Sequence, residues 1–118
     1  MMSNDSVPGL TSTPAGLSPT VVNELKGKLG FHGLVITDAL DARAISAAGY
    51  SVPQATVQAL KAGSDMVMFS MEPNTPGLTS ATADAVAAAV SDGQLSRARL
   101  IDAANAVLTV RHVDLCRS

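Results

Sequence analysis

No segment constrains this chain more than Gly30-Phe31-His32-Gly33-Leu34-Val35-Ile36-Thr37-Asp38-Ala39-Leu40. A glycine-bracketed turn leads into an unbroken run of leucine, valine and isoleucine, and the run stops at a threonine and a carboxylate. Strands buried on both faces read this way, because parallel strands covered by helices show continuous rather than alternating hydrophobicity. Asp38 therefore stands at the carboxyl end of a central strand, 34–38. In parallel sheets and (β/α)8 barrels that end is the rim where ligands bind.

The other segments fall into place around this strand. Residues 4–17, rich in Pro, Gly, Ser and Thr, form a long loop. Ser18-Pro19 predicts a helix start, Val22, Leu25 and Leu29 follow at helical spacing, and Gly30 ends the helix. Residues 39–48 read as a loop with a helical turn. A second helix runs from Pro53 to Gly63, and Asp65-Met66-Val67-Met68-Phe69-Ser70 is a second buried strand, 65–70. A third helix spans 79–91, apolar at Ala83, Val86, Ala87 and Val90. A fourth is capped by Ser96 and buries Leu100, Ala103, Val107 and Val110. The order is that of an α/β fold, with two parallel neighbouring strands joined by a right-handed crossover. Two strands leave unpaired edges flanked by apolar side chains, so the chain is expected to be incomplete as a sheet.

Composition removes several function classes. The chain is 47% hydrophobic and 15% charged, with a net charge of -2 and its eight basic residues scattered. That pattern has no basic stripe for nucleic acid and no polybasic patch for a membrane surface. No window approaches the ~18 apolar residues of a membrane span. The N-terminal residues have no signal-peptide pattern, which leaves the compartment open. The single cysteine, Cys116, provides neither an internal disulfide nor metal-type spacing.

Pro14-Ala15-Gly16-Leu17-Ser18-Pro19, the stretch Leu29 to Leu40, and Ala59-Leu60-Lys61-Ala62-Gly63-Ser64-Asp65-Met66 together resemble glycoside hydrolase family 3. The subgroup they are most similar to is the bacterial β-N-acetylglucosaminidases (β-N-acetylhexosaminidases). The resemblance implies that residues 1–118 are the C-terminal part of a catalytic (β/α)8 TIM barrel, from the end of its sixth strand through the final helices. Strands 34–38 and 65–70 would be its seventh and eighth. It further implies hydrolysis of terminal β-linked N-acetylglucosamine by a retaining mechanism, with Asp38 as nucleophile and no metal or organic cofactor. Thr37 and Leu40 are then flanking support, although Thr37 also reads as an ordinary strand residue.

The acid/base of this subgroup lies in a Lys-His-Phe-Pro-Gly-His-Gly motif, which this sequence lacks. His32 precedes the strand and, at about 3.3 Å per residue, lies roughly 20 Å from Asp38. His112 falls near the end of the last helix. Three weaker substrate-binding candidates are Asn4 on the N-terminal loop, Asp41 just past the nucleophile and Glu72 after the second strand. Each also reads as a cap or a solvated loop residue. Asp65 is expected to cap a turn. Ala42 replaces a methionine common in the family.

The expected activity is thus that of a glycosidase whose isolated chain is inactive. One alternative is a non-catalytic half-barrel that acts through self-association at its strand edges or through a completing partner. Another makes Asp38 a phosphoacceptor on an open sheet, but no acidic pair precedes the strand and Lys61 lies within a helix.

Overall fold

The computed structural model describes residues 13–70 and 73–112. Asn4, Glu72 and Cys116 lie outside the described residues. Ala15–Leu17 forms one 3-10 turn that buries Ala15 and Leu17. Helix α1 (Pro19–Asn23) begins with proline in its first turn, where a missing N–H breaks no hydrogen bond. Ser18 precedes it and makes no side-chain cap hydrogen bond. The helix then widens into a π-helical turn, Glu24–Lys28, with Leu29 N–H bonding the Glu24 carbonyl at 2.9 Å. A regular helix would place Leu29 on the apolar face. The wider turn rotates it out of register, and it is 70% exposed. Gly30 follows at φ 68°, in the left-handed region that glycine tolerates.

Strands β1 (Ile36–Ala39) and β2 (Met66–Met68) pair in parallel as a two-stranded sheet. Both are shorter than expected, although Asp65 and Met66 N–H still bond the Val35 carbonyl ahead of β1. The crossover between them contains α2 (Arg43–Ala47) and α3 (Val52–Ala62). A capping box starts α3: Ser51 accepts from the Gln54 N–H while the Gln54 side chain accepts from the Ser51 N–H. Gly63, at φ 117°, ends it, and α-carbon hydrogens are all that fit there, because a Cβ would approach Val22 Cγ1 to 2.8 Å.

Register in the sheet is irregular. Ile36 pairs with Met66 and Ala39 with Met68, so β1 carries one more residue than β2 between the two pairs. This β-bulge at Thr37-Asp38 explains a burial pattern that strict alternation forbids. Thr37 and Leu40, which alternation would send to opposite faces, are both buried against the helical layer. Leu40 joins Leu17, Ile45, Ala55 and Ala59 in the first core cluster.

A second cluster, Leu60, Ala89, Leu95 and Ala103, ties α3 to α4 (Thr75–Ser91) and α5 (Arg97–Val110). Helix α4 begins ahead of residue 79, because Pro76 falls in its first turn, where proline is tolerated. Its buried positions are Thr82 and Ala89, with Ala83 and Ala87 exposed. Helix α5 has the expected Ser96 cap, which accepts the Arg99 N–H at 3.1 Å, but Val110 is 54% exposed. Among the described residues, no helix is long and apolar enough to cross a membrane.

Candidate active site

One face of the sheet packs on helices, whereas the other exposes Ile36, Asp38, Met66 and Met68. Asp38 is the carboxylate on this otherwise apolar face, and it stands near the carboxyl end of β1. Its Oδ1 accepts the N–H of Ala39 at 2.8 Å. That donor stabilises the charged form and holds the carboxyl below its ordinary range. A cavity of about 370 Å³ runs beside β1, lined by Ala15, Val21, Val22, Leu25, Ile36 and Asp38 among others. It is a mostly apolar trough that carries two carboxylates, Asp38 on the strand and Glu24 on the π-helical turn.

The strand is fixed where Asp38 leaves it. Thr37 Oγ1 accepts the Met68 N–H at 3.1 Å, and Leu40 N–H bonds the Met68 carbonyl at 2.8 Å. Asp41 is exposed, and its Oδ1 accepts the Ser70 N–H at 3.0 Å. This bond clasps the segment after β1 to the segment after β2, and it holds the Asp41 carboxyl below the usual carboxylate range. Asp41 thus lies on the same rim as Asp38 with one oxygen already engaged.

At the opposite end of the strands lies a group that sequence reasoning missed. Asp65 is buried rather than a simple turn cap. Its carboxylate takes Lys26 Nζ at 2.9 and 3.1 Å, Arg99 Nη2 at 2.7 Å and the Val35 N–H at 3.1 Å. Arg99 also donates to the carbonyls of Leu60 and Ser64. Burial pushes the Asp65 carboxyl up, but the Arg99 and Lys26 cations and the Val35 N–H outweigh it, and the group sits low. One cue was present in the sequence: a carboxylate opening a buried apolar run has no water and requires cationic partners.

His32 is exposed and lines a different cavity, of about 440 Å³, with Lys26, Asp65 and Asp102. Its place before β1 separates it from Asp38 by the length of the strand. His112 is exposed at the end of α5, with φ 56°. Among the described residues, no three His, Cys, Asp or Glu side chains gather as a metal site. Around Asp38 the arrangement is an ionised carboxylate, held by the Ala39 N–H, beside a mostly apolar trough.

The family model for the glycosyl hydrolase family 3 N-terminal domain matches residues 1–110. Among curated proteins, a beta-hexosaminidase from Chromobacterium violaceum is 40% identical over 67 residues, which are 56% of this chain and 18% of the relative. An uncharacterized secreted glycosyl hydrolase from Arthroderma benhamiae is 38% identical over 84 residues, covering 70% of this chain and 23% of the relative. The chain thus spans less than a quarter of the length of either relative. A glycoside hydrolase family 3 β-N-acetylglucosaminidase from Paenibacillus superposes with a TM-score of 0.77 at 32% identity, over 92% of this chain and 21% of that one. A family 3 glycosyl hydrolase from Mycobacterium smegmatis gives 0.75 at 34% identity, over 88% and 33%. With its α/β architecture, its parallel strand pair and a family match across nearly all its length, the chain belongs to glycoside hydrolase family 3.

Proposed function

We propose that Asp38 is the nucleophile of a retaining glycosidase acting on terminal β-linked N-acetylglucosamine. On this reading residues 1–118 are the last part of a (β/α)8 barrel, with β1 and β2 as its seventh and eighth strands. The observation that carries the reading is the position of Asp38 at the carboxyl end of a parallel strand, on the face that a closed barrel turns inward. The sugar is assigned from the relatives named above as a beta-hexosaminidase and a β-N-acetylglucosaminidase.

In a retaining mechanism the carboxylate attacks the anomeric carbon as the glycosidic bond breaks, and an acid protonates the departing oxygen. Water, deprotonated by the same acid/base group, then cleaves the glycosyl ester and frees the carboxylate. The Ala39 N–H keeps Asp38 ionised for the first step. His32 and Asp65 lie toward the other end of the strand and take no part. The isolated chain is accordingly inactive toward substrates whose leaving group needs protonation. Purified chain is expected to give no turnover of a methyl N-acetyl-β-glucosaminide, whose alcohol leaves only with an acid's help, and turnover abolished by Asp38→Ala would overturn the inactivity. A 2,4-dinitrophenyl glycoside leaves without an acid, so mass spectrometry should find a slow glycosyl adduct on Asp38. No adduct there, or an adduct retained in Asp38→Ala, would remove the nucleophile assignment.

A second reading, self-association as a non-catalytic half-barrel, is favoured by the exposed Ile36, Met66 and Met68 beside a strand pair. Light scattering tests it: a cooperatively melting monomer argues against it.

A further inference from the structure

We propose that Thr37 is a positioning residue for Asp38, its hydroxyl stapling the β-bulge to Met68 so that the next side chain is held on the open face. The inference deepens the assignment of Asp38 and rests on it for its functional meaning, but its geometry stands on the strands alone.

Bulges occur seldom in parallel pairs and recur beside active sites, where the additional residue re-aims a side chain. Here the additional residue falls at Thr37-Asp38. A threonine in a strand that faces helices normally offers its neighbours a methyl and leaves its hydroxyl seeking a partner. Thr37 is 5% exposed and satisfies both ends. Its Cβ and methyl lie against Gly16, where an added Cβ would stand 4.0 Å from each, and its hydroxyl oxygen accepts the Met68 N–H across the strand. Two residues on, Ala39 re-enters register opposite Met68. The bulge is therefore closed from both sides by contacts to the same β2 residue. One comes from the Thr37 hydroxyl, the other from Leu40 N–H to the Met68 carbonyl.

Between those two contacts sits Asp38, with its Oδ1 on the Ala39 N–H. That short side-chain bond depends on the direction of the Ala39 amide, which the bulge sets. Release of the Thr37 staple lets the bulge slide toward regular pairing and turns the Ala39 N–H away from the carboxylate. Serine keeps the acceptor and lacks the methyl; valine keeps the shape and lacks the acceptor.

The test uses NMR on the full chain, with the Asp38 carboxyl carbon and the Ala39 amide followed through a pH titration. In the wild type both report one event, at a midpoint below the ordinary aspartate value of about 3.9. Asp41, the other rim carboxylate, is read separately through the Ser70 amide. Thr37→Ser is expected to leave both Asp38 signals where they are. Thr37→Val is expected to move the midpoint up toward the ordinary value and to abolish the Ala39 response. A valine variant that melts earlier but keeps both signals would overturn the proposal, because the residue would then serve packing alone. Should the valine variant not fold, the serine variant decides: loss of the Ala39 response with the hydroxyl still present would overturn it equally. Neither outcome depends on turnover, so failure of the glycosidase assignment leaves a separate trace.

Discussion

Replacement of Asp65 by alanine should cost this chain more stability than any exchange at its surface charges. The carboxylate is 2% exposed and accepts from Lys26, Arg99 and the Val35 N–H, so it joins the π-helical turn, the approach to β1, the start of β2 and α5. Removal of one partner of a fully buried pair costs about 3–5 kcal/mol. Here the cations reach water, with side-chain exposures of 27% for Lys26 and 18% for Arg99. Arg99 also retains the Leu60 and Ser64 carbonyls and Asp102. Those outlets reduce the ionic loss, while the orphaned Val35 N–H adds about 1–3 kcal/mol. A net loss of about 3 kcal/mol follows, or about 12 °C in Tm at roughly 4 °C per kcal/mol for a domain of this size. Urea unfolding followed by far-ultraviolet circular dichroism measures it. Asp65→Asn, which keeps an acceptor and loses the charge, should lie about midway.

The pH dependence has a definite sign. The folded Asp65 carboxyl is held below its ordinary value of about 3.9. Its contribution is therefore complete above that value and disappears as pH falls through the lower folded value. The gap between wild type and Asp65→Asn should be flat from about pH 5 to 8 and should narrow below about pH 4. The exposed Lys28–Glu24 pair serves as reference, since such pairs contribute about 0–1 kcal/mol. If Asp65→Ala costs no more than Glu24→Ala, or if the gap persists unchanged at pH 3, the buried ionic knot is not what holds the strands.

Two further substitutions test local features of the fold. Gly63→Ala should destabilise by about 1–3 kcal/mol, since φ is 117° and the new Cβ would press on Val22; thermal melting reads the loss, and a neutral result would mean that α1 shifts freely. Ser51→Ala should cost about 1 kcal/mol through loss of the capping box, whereas Ser18→Ala, at a helix start with no cap bond, should cost measurably less in the same urea assay.

Legibility in the sequence followed the strength of each local signal. The run ending at Asp38 was plain because a continuous apolar segment cut off by a carboxylate has few structural readings, and Pro53, Gly63 and Ser96 marked helix ends with their own backbone chemistry. The buried face of α4 was not legible, because alanine at nearly every position flattens the contrast on which periodicity depends, and Thr82 rather than Ala83 points inward. Leu29 went astray for a different reason: a widened turn changes the residue spacing, and nothing in Glu24-Leu25-Lys26-Gly27-Lys28 announces it. The roles of Asp65 and Arg99 depend on contacts between residues far apart in the chain, which no local window contains. Likewise, the bulge at Thr37-Asp38 is a property of two strands in register and not of either one.

The ionic knot fastens the two strands where they begin, and the exposed carboxylate stands where they finish. The anchorage of the strands and the open rim therefore draw on separate sets of amino acids. A lineage of such chains could exchange the residues around Asp41 and Ser70 while inheriting its scaffold intact.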